Sequence, residues 1–384
     1  AGGVTFKEGG TNFTNSLLVG TSGTGTLSSA DGNTGVGVGV LGALTTGDNN
    51  VAVGLNALDL NTTGINNVAV GANALDSNTE GSKNIAVGQN SLGTVTTGNN
   101  NVAVGHIALE DLTTASDNTA IGAFSSRNIT TGAANVSVGY NSLQANTTGA
   151  SNVAVGFSSL SANTTACFNT AIGACSGKSI TTGCHNTSLG AFSLFTSTTG
   201  DCNVAIGLDA LFCNNGSSAD NNTAVGHKAM CKNTTGTSNV AVGKSALLAN
   251  TTGADNTAVG VLSLEDCTTG NNNVSVGRSS GLQLTTGANN VLLGNYAGDG
   301  ITTGSRNNLV GDRSETSAVG GNDQSVIGRS VVGKGNDTFT TGGGNGVFNL
   351  NNTTAWQQTS DKRIKKNIVD NNIGLEKITQ IQVR

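Results

Sequence analysis

A glycine recurs every 17 residues along most of this chain, and this spacing constrains the fold more than any other feature. The residue before it is Val, Ile or Leu in all nineteen copies, and the residue four before it is Asn in seventeen of them. Fixed chemistry at a fixed period is typical of a stacked repeat array. One two-residue insertion around Asn214–Asp220 interrupts the series, whose glycines are Gly20, Gly37, Gly54, Gly71, Gly88, Gly105, Gly122, Gly139, Gly156, Gly173, Gly190, Gly207, Gly226, Gly243, Gly260, Gly277, Gly294, Gly311 and Gly328.

The repeat predicts a short strand followed by turns. One copy, residues 239–253, reads NVAVGKSALLANTTG. Its N-V-A-V-G segment alternates as a β-strand should, with the two Val side chains on one face and the small residue on the other. Thr-Thr-Gly is turn chemistry, the glycine allowing a positive φ, and the Gly, Asn and Thr content opposes a helix.

We therefore expect an all-β fold, a parallel β-solenoid of about 19 coils with identical positions stacked about 4.8 Å apart. Such a rod would be roughly 90 Å long. Its Asn side chains would form a ladder of amide hydrogen bonds, and its Val side chains a continuous apolar seam. The structural ladder expected for two neighbouring coils consists of Asn239, Val242, Gly243, Asn256, Val259 and Gly260.

Composition predicts self-association. The chain has 57 Gly, no Pro and only 3% aromatic residues, so each coil contributes about three sizeable apolar side chains. That thin core must offset roughly 1–2 kcal/mol of backbone entropy for each ordered residue. We expect a homotrimer, with the small residue between the two Val positions allowing the backbone of another chain to approach.

Charge and hydropathy exclude several partners. The net charge of −5 gives no reason to expect nucleic acid, and no apolar run approaches the roughly 20 residues that span a bilayer. The seven cysteines lie between Cys167 and Cys267 without CxxC spacing, which disfavours a zinc site and a disulfide framework. Cys167 and Cys184 are one period apart, within disulfide range, although free thiols are the simpler reading. No metal and no cofactor is expected.

Local motifs resemble known sites only superficially. Gly243-Lys244-Ser245 matches the end of a phosphate-binding loop. Such a loop also requires a glycine five residues earlier, and this chain has Ser238 there. The acidic pairs, Glu110-Asp111 and Glu265-Asp266, fall in the variable part of the coil, where a solvated edge explains them. Three scattered histidines are expected on the surface, at His106, His185 and His227.

The Thr-Thr pair suggests two further readings. Asn-Thr-Thr matches the N-glycosylation acceptor pattern, although a turn explains it as well. A Thr column on a flat rod also suggests an ice-binding solenoid, but adjacent Thr residues cannot both project from one strand face.

The last 25 residues change both charge and period. Residues 360–384 hold six Lys or Arg against three acids, and Leu375, Ile378 and Ile381 have the spacing of a short helix that opens after Asn371 and Asn372. We divide the chain into an N-terminal lead-in (1–15), a solenoid shaft (16–333), a transition or cap (334–359) and this tail (360–384).

The tail and the repeats carry a family resemblance. Residues 360–368 read SDKRIKKNI, which resembles the opening of the endosialidase-type intramolecular chaperone domain of trimeric phage tail fibres and tailspikes. That family trimerises the fibre and often cuts itself off before the motif serine. The resemblance implies catalytic roles for Ser360 and Lys365, with single-turnover cleavage at Thr359–Ser360. It covers only 25 residues, so we expect the start of that domain in truncated form.

These observations predict the structural shaft of a trimeric viral fibre, most simply a phage tail fibre, on the virion surface or in an extracellular setting. The repeats look like the shafts of phage and other viral fibres. Its expected partners are other copies of the chain and a host cell-surface glycan or protein receptor. The alternatives are a bacterial trimeric surface adhesin, an ice-binding solenoid and a glycan-degrading tailspike, the last of which needs paired carboxylates in a groove.

Overall fold

A computed structural model describes residues 6–10, 13–20, 28–216, 219–342, 347–350 and 357–358, with side chains from residue 14 to residue 342 outside those gaps. Ser360, Lys365 and the helix predicted in the tail lie outside the described residues. Strands and turns make up the part that is described. Its strands are β1 Phe6–Gly10, β2 Phe13–Val19, β3 Ala30–Asp31, β4 Thr34–Val36, β5 Val51–Val53, β6 Val68–Val70, β7 Ile85–Val87, β8 Val102–Val104, β9 Thr119–Ile121, β10 Val136–Val138, β11 Val153–Val155, β12 Thr170–Ile172, β13 Thr187–Leu189, β14 Val204–Ile206, β15 Thr223–Val225, β16 Val240–Val242, β17 Thr257–Val259, β18 Val274–Val276, β19 Val291–Leu293, β20 Asn308–Val310, β21 Ser325–Ile327, β22 Thr338–Thr341, β23 Val347–Leu350 and β24 Gln357–Gln358.

The predicted parallel β-solenoid is confirmed. Each three-residue strand pairs in parallel and in register with the strand of the next coil, as β16 does with β17 through Val240↔Thr257 and Val242↔Val259. The two-residue insertion leaves the pairing in register, because Val204 of β14 lies opposite Thr223 of β15. The parallel ladder therefore continues across the insertion.

The interior differs from the expected arrangement. The middle residue of each strand from β4 to β21 is buried, and in most strands it is small, as Ala52 and Ala241 are, whereas Val53 and Val242, the residues that follow them, point outward. Leu58, four residues after the repeat glycine, is also fully buried and fills the space opposite. The prediction that the small residue admits another chain is therefore wrong, because a 17-residue coil has room for one small strand side chain beside the Leu.

Left-handed backbone shapes each coil. Residues other than glycine adopt positive φ at three positions in most coils, among them Asn56 (53°), Leu58 (53°) and Asn66 (59°). The repeat glycine has a φ that a residue with a side chain rarely adopts, +140° at Gly243, and a Cβ there would lie 2.6 Å from the carbonyl carbon of Gly260. The expected positive φ at Thr-Thr-Gly is wrong: Gly253 does not adopt one, and a Cβ on it would instead meet the next coil's carbonyl oxygen.

Both ends of the ladder change strand direction. Before the first coil, β1 pairs antiparallel with β2, which opens the parallel ladder by pairing with β3 and β4. After the last full coil, β22 continues the parallel ladder on β21, and β23 and β24 follow it antiparallel. These last three strands fall inside the segment predicted as a cap, and its boundaries stay a prediction.

Candidate functional site

The predicted Asn ladder is present and stands directly before each strand from β4 to β20. Asn239 is fully buried, and its Nδ2 donates to Gly253 O (2.8 Å) and to Asn222 Oδ1 (3.1 Å). Its Oδ1 accepts from the backbone N (3.0 Å) and Nδ2 (3.2 Å) of Asn256. The amide therefore uses both of its protons and both of its lone pairs, so a buried polar column is fully satisfied.

The two residues of the Thr pair point in different directions. Thr251 is partly buried and its Oγ1 donates to Thr268 O in the next coil at 3.0 Å. Thr252 beside it is exposed. Most coils thus present one exposed Thr hydroxyl rather than two, which leaves a single file of exposed threonines on that side of the rod.

Because the middle residue of each strand is buried, its two neighbours face outward and form an apolar surface. We call this surface the outer face and define it as the first and third residues of β4 to β21. The third residue is Val, Ile or Leu in all eighteen strands. These side chains are partly solvated, with 42% of Ile121 and 38% of Ile172 exposed. At about 4.8 Å per coil they run without a break for roughly 80 Å.

The outer face is too large to be ordinary monomer surface. Ten of the first positions are also Val or Ile, so with the eighteen third positions the face holds 28 aliphatic side chains. All of them are partly or well exposed. At about 45 Å² each, roughly a third of an aliphatic side chain's surface, they amount to about 1,200 Å² of apolar area. The largest apolar patch on a typical soluble monomer is about 300–600 Å². The sequence pattern identified these Val columns, but the contact with another chain was predicted at the small middle residue, which is buried inside its own coil.

The phosphate-loop resemblance is explained by the repeat. The backbone N of Gly243 donates to Val225 O at 2.8 Å, so it belongs to the strand ladder. Lys244 is exposed, while Ser245 is nearly buried at 7% exposure. A loop that cradles phosphate needs several free backbone N–H groups pointing at one spot, and this coil does not provide them.

Two carboxylates line one shallow notch. A depression of about 230 Å³ opens where Gly93 leaves space between Asp76 and Glu110. Burial raises the pKa of Asp76. Glu110, however, accepts a hydrogen bond from Arg127 Nε at 2.9 Å, so one of the two carboxylates is already ion-paired. The notch therefore lacks the free pair of acids that glycoside hydrolysis uses.

One acid replaces a core leucine near the end of the shaft. Glu315 stands four residues after Gly311, where most coils have the buried Leu, and its Oε1 accepts from Gly300 N at 3.1 Å. Burial, and secondarily the carboxyl of Asp299, raise the pKa of Glu315 to about 8. This carboxyl is thus expected to be largely protonated at neutral pH.

The histidines that we describe contact aromatic rings of neighbouring coils, and the cysteines are unpaired. His106 packs edge-on against Phe124, with ring centroids 5.4 Å apart, and His185 stacks on Phe168 at 5.2 Å. All seven cysteines are free thiols. Cys167 and Cys184 do lie in adjacent coils, where the Cys167 N–H donates to Cys184 Sγ at 3.1 Å.

Within the part of the chain that the structure describes, no three His, Cys, Asp or Glu side chains form a group that could hold a metal ion. Nor does that part contain a helix long and apolar enough to cross a membrane. Comparisons with protein-family models, with curated proteins and with solved structures found no match to this chain. The outer face is therefore the candidate site, and its function has to be argued from its own chemistry.

Proposed function

We propose that this protein is the shaft of a self-associating fibre, most simply a homotrimeric viral tail fibre that takes part in attachment to a host cell. The observation that carries the proposal is the outer face, an unbroken apolar strip about 80 Å long. An apolar area of about 1,200 Å² per chain is within the range that stable protein interfaces bury. Burying this apolar area between copies of the chain would remove it from water, which is favourable.

The strip favours copies of the same chain over a different partner. It repeats with the same period as the rod, so two parallel copies can stay in contact over their whole length. Branched aliphatic residues at every coil give each copy the same surface to offer. The number three comes from the resemblance of residues 360–368 to the chaperone of trimeric fibres, which also implies the virion surface as the location.

Mass measurement tests the assembly. The chain should sediment as a trimer, three times the subunit mass of 38.0 kDa, or less if the tail is removed. Replacing Ile121 and Ile172 by Asp should shift it to monomers, because both side chains are accessible in a single chain but would be buried in the assembly. The matched control, Thr114→Asp with Thr165→Asp, adds the same charge to the exposed Thr file and should remain trimeric. A wild-type chain that is monomeric at micromolar concentration would sink the proposal.

The chaperone assignment has a separate test. Intact-mass analysis of the subunits should show a chain ending at Thr359, and Lys365→Ala should leave it uncut. Ser360→Ala should have the same effect, because the family resemblance makes that hydroxyl the nucleophile. A trimer with uncut wild-type subunits would contradict self-cleavage while leaving the shaft proposal intact.

A further inference from the structure

Positive charge is concentrated on one edge of an acidic rod. The residues one and two positions after the repeat glycine form a corner beside the outer face. From Gly54 to Gly207 these two columns contain no Lys or Arg, whereas the coils from Gly226 onward place five there. The whole chain carries a net charge of −5, so this clustering is not a general property of its surface. The five residues are Lys228, Lys244, Arg278, Arg313 and Arg329.

Two of these arginines lie on the two faces of one tyrosine. The guanidinium carbons of Arg278 and Arg313 are 5.8 and 5.3 Å from the ring centroid of Tyr296, which stands in the coil between them. Cation–π contact orients a guanidinium without using its N–H groups. The ring therefore holds two cations one above the other, with hydrogen-bond donors left at their solvent edges.

A single carboxylate lies within this group. Asp312 Oδ2 is 3.5 Å from Arg313 Nη1 and 3.4 Å from Arg329 Nε. Both arginines are well exposed, with 58% and 80% of the side chain accessible. Three guanidinium groups against one acid leave an excess of two positive charges, and Arg278 has no ion pair with any residue that the structure describes.

We propose that this corner, lined by Arg278, Tyr296, Arg313 and Arg329, binds the carboxylates of an acidic polysaccharide that lies along the rod. Planar guanidinium groups bind carboxylates through two parallel N–H···O bonds, and the stack on Tyr296 reduces the rotamer entropy lost on binding. A linear polymer suits a row of cations that continues to Lys244 and Lys228. Nucleic acid is disfavoured by the acidic chain as a whole, since nucleic-acid-binding domains are usually strongly basic.

This inference names a ligand for the attachment part of the proposed function and rests on that function only for its biological meaning. In a trimer three such corners would act together, so that weak single contacts add up to useful avidity. The corner borders the outer face, and its charges are compatible with the polar rim that surrounds an apolar interface.

Binding of polygalacturonate to the full chain tests the proposal, with neutral dextran as the blank. Titration calorimetry should show binding that weakens as salt is raised. The double variant Arg278→Gln/Arg313→Gln should lose about tenfold or more in affinity. Tyr296→Leu should lose several-fold, because the guanidinium groups remain but are no longer held. The matched control, Arg306→Gln/Lys232→Gln, removes the same charge elsewhere on the surface and should bind like the wild type.

Three results would overturn the inference. These are no binding of polygalacturonate, an equal loss in the control pair, or equal or tighter binding of duplex DNA or dextran sulfate, which would indicate a general polyanion surface. Sedimentation of the same samples separates the two proposals. Intact trimers that fail to bind would refute only the polysaccharide site, whereas monomers that bind would refute only the fibre.

Discussion

Asn163 is a buried side chain whose polar atoms make no hydrogen bond, and replacing it should make the protein more stable. Asn163 is fully buried, yet neither its Nδ2 nor its Oδ1 has a hydrogen-bond partner. It stands seven residues after the repeat glycine, where the preceding coil has Asn146. There the side chain is satisfied, because Nδ2 donates to Gly149 O at 2.8 Å and Oδ1 accepts from Gly149 N at 3.0 Å.

At the residue after Thr-Thr, the two coils differ by one methyl group. A Cβ added at Gly149 would lie against Oδ1 of Asn146, and the equivalent residue in the next coil, Ala166, has that Cβ. The Asn163 amide is therefore displaced from the carbonyl that it would otherwise reach. Ile129 and Ile180, the neighbouring apolar members of this column, are buried without difficulty.

Asn163→Ile should therefore stabilise the folded chain. A buried polar group left unsatisfied costs about 1–3 kcal/mol, and Asn163 has two unsatisfied atoms. Part of this gain is offset because the β-branched Ile side chain is restricted at χ1 and fits the turn in fewer rotamers. We expect a net increase of about 2 kcal/mol in the free energy of unfolding.

Urea unfolding followed by circular dichroism measures this change, and native-state hydrogen exchange locates it in the coils on either side of residue 163. The matched variant, Asn146→Ile, breaks two hydrogen bonds in the same column and should lose about 1 kcal/mol. If Asn163→Ile were no more stable than the wild type, or if the two variants behaved alike, unsatisfied polarity would not be the controlling term at this position.

Three further predictions use other positions. Because burial raises the pKa of Glu315 to about 8 from an ordinary 4.5, the stability it contributes should be complete below about pH 4.5 and be lost as pH rises through 8. Thermal melts of Glu315→Gln should lack this pH dependence. Burial also raises the pKa of the Cys267 thiol to about 11, so iodoacetamide should label exposed Cys202 in the native protein and Cys267 only after unfolding. Gly243→Ala should cost roughly 3 kcal/mol in urea unfolding, whereas Lys244→Ala should change stability by less than about 0.5 kcal/mol.

The repeat made much of the fold predictable. Because Asn239 and Asn256 occupy the same position of neighbouring coils, a stacked array brings their side chains together, whatever the exact path of the coil. The same reasoning placed Val242 against Val259 and gave the register across the insertion. Stacking is a property of the period, so it needs no knowledge of the turn geometry.

The turns were not predictable in the same way. Leu58 has a φ of 53°, although Leu disfavours the left-handed region and the sequence offers glycine nearby. The structure tolerates this strain because the turn delivers the Leu side chain to the core, where it is fully buried. The charged corner was missed for a related reason: Arg278, Tyr296 and Arg313 come together only because three successive coils place them on one edge.

The decisive error concerned which face of the Val-Ala-Val strand points inward. Alternation alone could not decide this, since either face is compatible with a strand. The sequence nevertheless contains a signal in its volumes. Where the middle strand residue becomes Leu292 or Leu309, the position of the core Leu becomes Gly281 or Gly298. A Cβ at Gly281 would lie 2.7 Å from Leu292 Cδ1, and one at Gly298 would lie 3.0 Å from Leu309 Cδ1. Two columns that exchange volume in this way share one interior, which places the small residue inside and the Val residues on the outer face.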